Sequence, residues 1–562
     1  MSVPVFKGAI ISDFNAGNFE GCLKNSEDLP GVDPVLAPFG QVVPALLQDD
    51  FECWRNAPDF AVVWARPQSV IPSFARLLRY ETVPADLLLS EVDAYWALLE
   101  RAGARVKFLF VPTWTAPAHH REFGLLDLKA GVGPAHALMQ MNLRLAEHCG
   151  KSPNIHLLNS QRWVEAAGRH AFNPKLWYMG KIAFGNDVFI EAAREVKAAL
   201  RGLTGQSKKL VLVDLDDTLW GGIVGDLGWE NIALGGHDAV GEAFADFQRT
   251  LKALTRRGVL LGIVSKNDEA VALEALRRHP EMVLRPEDFV GWRINWQDKA
   301  ENILDLVRSL NLGLQSVVFI DDNPVERDRV REALPEVFVP EWPADTTLYE
   351  STLLSLRCFN AASITAEDAQ RTRLYAAEGQ REDLKRQLGS VEAWLKTLDV
   401  RVTVERLQPA NLQRTTQLLN KTNQMNLTTR RMSEAELSEW AAGANRRLWT
   451  IRVADRFGDS GLTGIVSVES RAGLATIVDF VLSCRVMGRR VEEAMLHLAG
   501  EYARSQGART LHARYVATEK NRPCLEFWQK SGFAAAEGAL FSWDLSNPYP
   551  RPDTVTIEGK DA

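Results

Sequence analysis

Val211, Leu212 and Val213 run directly into Asp214-Leu215-Asp216-Asp217-Thr218-Leu219-Trp220, so an apolar run of strand character stops in carboxylates that no fold requires there. Such a run reads as a core strand of a parallel α/β sheet, and open α/β sheets place ligands at the carboxyl ends of their strands. Asp214 and Asp216 stand two residues apart. A chain that leaves the strand extended and then turns brings both carboxylates toward one cation. Hard oxygen ligands of this kind suit Mg2+. For the pair alone, a solvated Asp-Asp turn after an ordinary strand is the competing explanation.

Two further apolar runs end in a similar way. Val259 to Val264 stops at Ser265-Lys266-Asn267, which offers a hydroxyl to phosphate oxygens, and Ser316 to Ile320 stops at Asp321-Asp322-Asn323-Pro324, a second acidic pair. Between them, Asn295-Trp296-Gln297-Asp298-Lys299 precedes a helical pattern, and Lys299 can neutralise phosphate and the charge developing at a nucleophile. Acid, hydroxyl, lysine and acid in succession are poorly explained by solubility.

This order resembles the haloacid dehalogenase-like phosphotransferases, with their Asp-x-Asp-x-Thr, Ser or Thr, Lys and acidic-pair motifs. The resemblance implies that Asp214 is the nucleophile and Asp216 the general acid. It also implies that Thr218, Ser265 and Lys299 bind phosphate. Asp214, Asp216 (through its backbone carbonyl), Asp321 and Asp322 would hold Mg2+. From Asp214 to Ser265 is 51 residues and from Ser265 to Lys299 is 34, too few for a large inserted cap domain. An uncapped site admits a substrate displayed on another protein, where a lidded phosphatase would not.

A chain of 562 residues has room for three or four domains, and 46% hydrophobic with 24% charged residues is ordinary for a soluble enzyme. The net charge of −7 argues against a general nucleic-acid binder. No apolar run reaches the length of a membrane span, and the apolar stretch near Met1 is too short for a secretory signal. Cys22, Cys53, Cys149, Cys358, Cys484 and Cys524 form no close pairs, which reads as cytoplasmic thiols rather than a disulfide framework.

The expected organisation is an α/β multidomain chain. Residues 1–204 form an SGNH-like, flavodoxin-type α/β domain, with core strands at Ala61 to Trp64 and Val106 to Val111 and helical periodicity from His136 to Cys149. Residues 205–347 form a capless Rossmannoid domain of haloacid dehalogenase type. A helical linker, 348–396, includes the charged stretch Ala366 to Gln387; a GNAT-like α+β domain, 397–550, and a tail, 551–562, follow. Ser12, in Ile10-Ile11-Ser12-Asp13, occupies the nucleophile position of the SGNH-type hydrolases that this opening resembles. His170 lacks the acid expected beside it, so a degenerate docking domain is the expectation there.

The third domain carries its own signal. Thr476 to Leu482 has strand character and leads into Ser483-Cys484-Arg485-Val486-Met487-Gly488-Arg489-Arg490, a basic, glycine-containing turn before a helix. Backbone N–H groups and guanidinium charges at a helix N-terminus suit a pyrophosphate; a basic helix cap is the alternative. With Asn521 and Phe527 to Phe533, the turn resembles the GNAT acyltransferases, although Arg490 stands where that family prefers a small residue. Arg485, Gly488, Arg489, Arg490 and Asn521 become candidates for binding a carrier protein or its pantetheine arm. Cys484, beside these arginines, reads either as an activated nucleophile or as a small buried hydrophobe.

Taken together, the domains and the segments Asp216 to Asp226 and Ser483 to Arg489 resemble the FkbH-type glyceryl transferases. That resemblance implies a substrate, 1,3-bisphosphoglycerate, and a partner, an acyl carrier protein with a phosphopantetheine arm. It implies a glyceryl thioester product for polyketide extender-unit synthesis, with Cys484 as the candidate acyl carrier on the enzyme. A magnesium-dependent phosphomonoesterase and a noncatalytic carrier-protein scaffold are the competing readings.

Overall fold

The computed structural model describes residues 5–116, 123–361, 364, 381, 384, 388, 390–471, 473–518, 520–536 and 538–559. Apart from residues 381 and 384, the expected helix over 366–387 lies outside the described residues. The chain divides into two compact units, Met1–Arg201 and Gly202–Ala562.

In Met1–Arg201, strands β1 (Val5–Ser12), β2 (Gly31–Leu36), β3 (Phe60–Trp64), β4 (Phe108–Pro112) and β5 (Ile155–Leu158) form a parallel sheet in the order 2-1-3-4-5. This is the flavodoxin-type order, with its reversal between β1 and β3. Every residue of β3 is buried, as a central parallel strand covered on both faces requires. Ala9, Ile11, Ala61, Val63, Leu109 and Val111 alternate along their strands to present one face, which packs on helices Ala85–Gly103 and Pro134–Cys149. Phe14, Phe19, Trp64, Phe184 and Phe189 form an aromatic cluster, with rings 5.0 to 6.4 Å apart.

Gly202–Ala562 holds two sheets. In the first, β6 (Leu210–Val213), β7 (Leu260–Ser265), β8 (Trp292–Ile294) and β9 (Val317–Ile320) are parallel in the order 8-7-6-9. Helix Ala239–Arg256 covers the sheet, started by Asp238, whose carboxylate accepts from the backbone N–H groups of Val240 and Gly241. The second sheet is built from β10 (Val400–Arg406), β11 (Met425–Asn426), β12 (Arg446–Asp455), β13 (Gly458–Arg471), β14 (Leu474–Leu482), β15 (Thr510–Arg514), β16 (Ala534–Ala536), β17 (Leu540–Asp544) and β18 (Val555–Glu558). Its order is 16-17-15-14-13-12-10-18, with β11 on β14.

Three expected boundaries shift. Helix Tyr349–Ser355 belongs to the first of these sheets rather than to a linker: Tyr349 packs edge-on against Phe244 and Phe247, and Thr250 Oγ1 donates to Glu350 at 2.8 Å. Helix Val391–Leu398 belongs to the C-terminal core, where Trp394, Leu395 and Leu398 are buried. Within the expected tail, β18 pairs in parallel with β10 and buries Val555. A short chain end with few apolar residues reads as disordered, and only its pairing with a distant strand supplies the order.

Candidate active site

Register assembles the site. Val213 of β6 lies beside Ile263 of β7 and Ile320 of β9, so the residues that follow those strands emerge side by side. The backbone N–H of Asp214 donates to Ile320 O at 3.0 Å, which locks Asp214 next to Asp321. Ser265, the last residue of β7, is buried at the same end of the sheet. Lys299 opens helix Lys299–Ser309, capped by Asp298, and reaches into the cluster with only 3% of its side chain exposed. Its Nζ lies 3.2 Å from Asp214 Oδ2 and 2.6 Å from Asp321 Oδ2. Four of the sequence-derived site residues thus meet at one mouth.

Asp214, Asp321 and Asp322 each offer an oxygen within 4.8 Å of the others. Three carboxylates against one lysine leave the cluster negative, and Asp214 Oδ1 is buried with no hydrogen-bond partner. A buried anionic oxygen without a donor is costly unless a cation satisfies it, and the all-oxygen set fits Mg2+. Burial and then the Asp214 charge raise the pKa of Asp321 to about 7, and the same two causes raise that of Asp322. Burial works to lower the pKa of Lys299, but Asp214 and Asp321 outweigh it and raise it.

The sign of one pH effect follows. Magnesium must displace the proton held by Asp321 below about pH 7. Half-saturating Mg2+ is therefore expected to fall by up to about tenfold per pH unit between roughly pH 5 and 7 and to level off above. A titration of metal-dependent intrinsic fluorescence at fixed ionic strength measures this; a pH-independent midpoint would refute it. The metal-free protein should in turn lose stability as pH rises from the ordinary carboxylate range toward 7, because the buried Asp321 must then ionise.

The Asp216 side chain stands outside the cluster of Asp214, Asp321 and Asp322. Its Oδ1 accepts from Trp220 Nε1 at 2.9 Å and from the Val224 N–H at 3.1 Å, and its Oδ2 accepts from Asn267 Nδ2 at 2.8 Å. Burial nevertheless raises its pKa, against the lowering by the bonds from Val224 and Trp220. Asp217 makes the intervening turn with φ +52°, a left-handed conformation that Asp tolerates better than most residues. Thr218 is joined to the acidic turn: its Oγ1 donates to Asp322 Oδ1 at 3.1 Å and accepts from the Asp322 N–H at 3.2 Å.

Two positioning residues escaped the sequence reading. Asn267 follows Ser265 by two positions, and Arg327 donates to the carbonyls of Asp321 at 2.8 Å and Asp322 at 2.7 Å, clamping the acidic turn. The only signal for Arg327 was a helical phase that returns it to the strand end. Asn267→Ala should lower kcat by about 10- to 100-fold with KM nearly unchanged, since it loosens the acid but touches no substrate. Equal losses in kcat and 1/KM would count against this role.

The candidate carrier-binding residues are differently placed. Gly488, at φ +74°, donates its N–H to Glu492 Oε1 at 2.7 Å, so the chain's own carboxylate already fills the turn. Burial pushes Glu492 up to about 7. Arg489 points inward to Asp455 at 2.9 Å with 1% of its side chain exposed. Asn521 is buried: its Nδ2 donates to the carbonyls of Asn426 and Val516, and its Oδ1 accepts from Tyr515 Oη and the Thr518 N–H. These three residues are structural pins. Arg490 is exposed and pairs with Glu493, whereas Arg485 and Cys484 line a cavity.

That cavity lies at the wrong end of β6 for direct chemistry with Asp214. It is bounded by Lys209, which precedes β6, by Leu260, the first residue of β7, and by Asn311, which precedes β9, and Asn311 Nδ2 donates to Cys484 O at 3.0 Å. Five residues at about 3.3 Å each put roughly 16 Å between the two ends. Cys484, the candidate acyl carrier, therefore lines a cavity at the opposite end of β6 from Asp214. In Met1–Arg201, Ser12 is buried with its Oγ accepting from the Phe14 N–H, Asp13 is paired with Arg66 at 2.8 Å, and the His170 side chain is exposed at 3.6 Å from Asp187. No serine-histidine pair forms among these residues.

No protein-family model and no curated protein matches the chain. Among solved structures, it is similar to the N-terminal part of a Bacteroides fragilis protein that contains a phosphatase domain, crystallised in complex with Mg. The identity is 28%, the match covers 64% of this chain and 96% of that one, and the TM-score is 0.58. Of 562 residues, 64% is about 360, more than residues 205–347 supply, so the likeness extends beyond the phosphatase-like block. A GNAT-family acetyltransferase from Staphylococcus aureus (6% identity, 26% of this chain and 99% of that one, TM-score 0.21) is a weaker likeness. The ribosomal-protein-S18-alanine N-acetyltransferase from Escherichia coli is similarly distant (12% identity, 26% and 94%, TM-score 0.20), and at these scores neither carries an argument. No helix among the described residues is long and apolar enough to cross a membrane.

Proposed function

We propose that the chain is a magnesium-dependent enzyme that dephosphorylates 1,3-bisphosphoglycerate and loads the glyceryl group as a thioester on an acyl carrier protein. The convergence of Asp214, Ser265, Lys299 and Asp321 at one sheet end carries the phosphatase half of this reading. Mg2+ held by Asp214, Asp321 and Asp322 would supply charge neutralisation at the phosphoryl oxygens. Asp214 attacks phosphorus, the bond from phosphorus to the substrate alcohol oxygen breaks, and Asp216 gives that oxygen its proton. Water then releases phosphate from Asp214, with Asp216 taking the proton back. Lys299 and Ser265 hold the phosphoryl group throughout.

The substrate carries two different phosphates, and the roughly 16 Å between Asp214 and the Cys484 cavity gives each its own place. The phosphomonoester is work for Asp214. The acyl phosphate is a mixed anhydride, so a thiolate can attack its carbon and expel phosphate without ATP. On this reading Cys484 and the carrier thiol serve the second group, and a swinging pantetheine arm spans the separation.

The test is intact-mass analysis of holo-carrier protein incubated with enzyme, Mg2+ and 1,3-bisphosphoglycerate. A glyceryl adduct that disappears with Cys484→Ala is the expected result. Phosphate release with no adduct would instead favour the phosphomonoesterase, a reading encouraged by the Glu492 carboxylate that fills the Gly488 turn.

A further inference from the structure

Met1–Arg201 carries a cavity of about 340 Å3 that the chemistry at Asp214 leaves unused. It opens where β3 and β4 end. Trp64 closes β3, Arg66 and Gln68 follow it, and Thr113 and Trp114 follow β4. The sheet order reverses between β1 and β3, and open α/β sheets place ligands outside the carboxyl ends of their strands at such a reversal. The walls are aromatic, supplied by Trp64, Trp114, Phe172, Trp177 and Phe184. Trp64 and Phe184 stack with ring centres 5.0 Å apart, and Phe172 lies 5.6 Å from Phe184, so these three rings form one continuous wall.

Two polar groups in the lining have hydrogen-bonding capacity to spare. Arg66 gives its backbone N–H and its Nε–H to the two oxygens of Asp13, each at 2.8 Å, and its guanidinium lies 3.8 Å over the Trp177 ring. One edge and one face of the fork are thereby taken. Its two Nη groups donate to no described residue. Gln68 Oε1 is buried and has no hydrogen-bond partner. An acceptor buried without a donor is costly, and a ligand N–H at that point would relieve it. Arg66 is the only charged residue among the described residues that line the cavity, and Asp13 already balances it.

We propose that this cavity binds a small, neutral, planar molecule with a lactam edge. The ligand carbonyl accepts from the Arg66 Nη groups, and the ring N–H donates to Gln68 Oε1. A carbonyl and an N–H side by side on a flat ring match a donor and an acceptor set two residues apart on one loop. The aromatic wall receives the face of the ring. A carboxylate is the poorer guest, because it would be a second anion on a guanidinium that Asp13 already neutralises, where the two side chains are only 23% and 7% exposed. Ligand pockets span about 300–1,000 Å3, and this one lies at the small end of that range, which suits a molecule of one or two fused rings. Binding here needs no metal, and it would stand if Asp214 turned over nothing.

Saturation-transfer NMR titration of the full chain with carbostyril, a flat two-ring lactam, tests it. Saturable binding is expected, about tenfold tighter than that of N-methylcarbostyril, which lacks the N–H, and than that of naphthoate, a flat anion of similar size. Gln68→Leu should weaken carbostyril about tenfold and bring it within about threefold of the N-methyl form. The same variant should unfold thermally no earlier than the unaltered chain, since an unpaired buried oxygen has gone. Arg66→Lys keeps a cation beside Asp13 but removes the planar fork, and it too should cost about tenfold in affinity for carbostyril. Three results would overturn the proposal: no saturable binding of carbostyril, tighter binding of naphthoate, or a preference over N-methylcarbostyril that survives Gln68→Leu. Carbostyril affinity unchanged in Arg66→Lys would overturn it as well.

Discussion

Asp214→Asn is expected to reduce magnesium-dependent phosphate release by at least about a thousandfold while leaving the fold intact. The amide cannot form the aspartyl-phosphate, and it removes a formal charge from the ligand set. The structure of the cluster should survive, because Lys299 keeps Asp321 at 2.6 Å and Thr218 keeps Asp322 at 3.1 Å. Stability should even rise. Asp214 is one of three carboxylates whose oxygens lie within 4.8 Å of one another, and its charge raises the pKa of both Asp321 and Asp322. Removing that repulsion should stabilise the metal-free protein by about 1 kcal/mol, the usual trade at a site strained for function. Phosphate release and thermal unfolding in EDTA, measured on the same preparation, give both numbers. Turnover within about tenfold of the unaltered chain would place the chemistry elsewhere. If the acyl step is separate, the same variant should pass a phosphoglyceryl group to the carrier protein, distinguishable by mass from glyceryl.

The phosphatase-like block was legible because its chemistry sits at strand ends, and strand ends are marked locally by the change from apolar to polar. Asp214, Ser265 and Asp321 needed no knowledge of tertiary contacts beyond a parallel sheet. Lys299 needed only the helix start that Asp298 announces. What local pattern could not supply was the direction of each side chain. Asp214 and Asp216 stand two residues apart in the sequence, yet Asn267, in the loop after the neighbouring strand β7, holds the Asp216 carboxylate at 2.8 Å, away from the acidic cluster. Thr218 looks like a phosphate ligand because it stands in a motif, but its partner Asp322 is 104 residues away.

The C-terminal turn misled for a different reason. Arginines and a glycine before a helix have the composition of an anion cradle, and composition does not record whether an internal anion already fills it. Glu492 lies one residue inside the helix that follows Arg490, and its carboxylate reaches back to the Gly488 N–H. Asp455 ends β12, 34 residues before Arg489, and no spacing rule links them. The β18 strand likewise depends on a partner, β10, more than 150 residues away.

Asp455→Asn is the largest expected change in stability. The Asp455 side chain is fully buried and takes Arg489 at 2.9 Å and Arg381 at 2.8 Å, both guanidinium groups at most 3% exposed. It also accepts from the Phe457 N–H at 2.9 Å, which shapes the turn between β12 and β13. An amide keeps the shape and loses the charge, so both buried guanidinium groups lose the Asp455 carboxylate. Breaking such a site costs about 3–5 kcal/mol, because the desolvation of the remaining charges is no longer offset. Asp459→Asn is the matched control: its pairing with Arg452 is long, at 3.3 Å, with both side chains roughly half exposed, so under 1 kcal/mol is expected. Because a chain of several domains does not unfold in one step, the loss is best read by hydrogen exchange of the β12 and β13 amides across a urea series. A cost near that of Asp459→Asn would return Arg489 to the list of ligand-binding residues, since a guanidinium that does not need Asp455 is one that can be given to an outside anion. A cost in the expected range fixes it in the core.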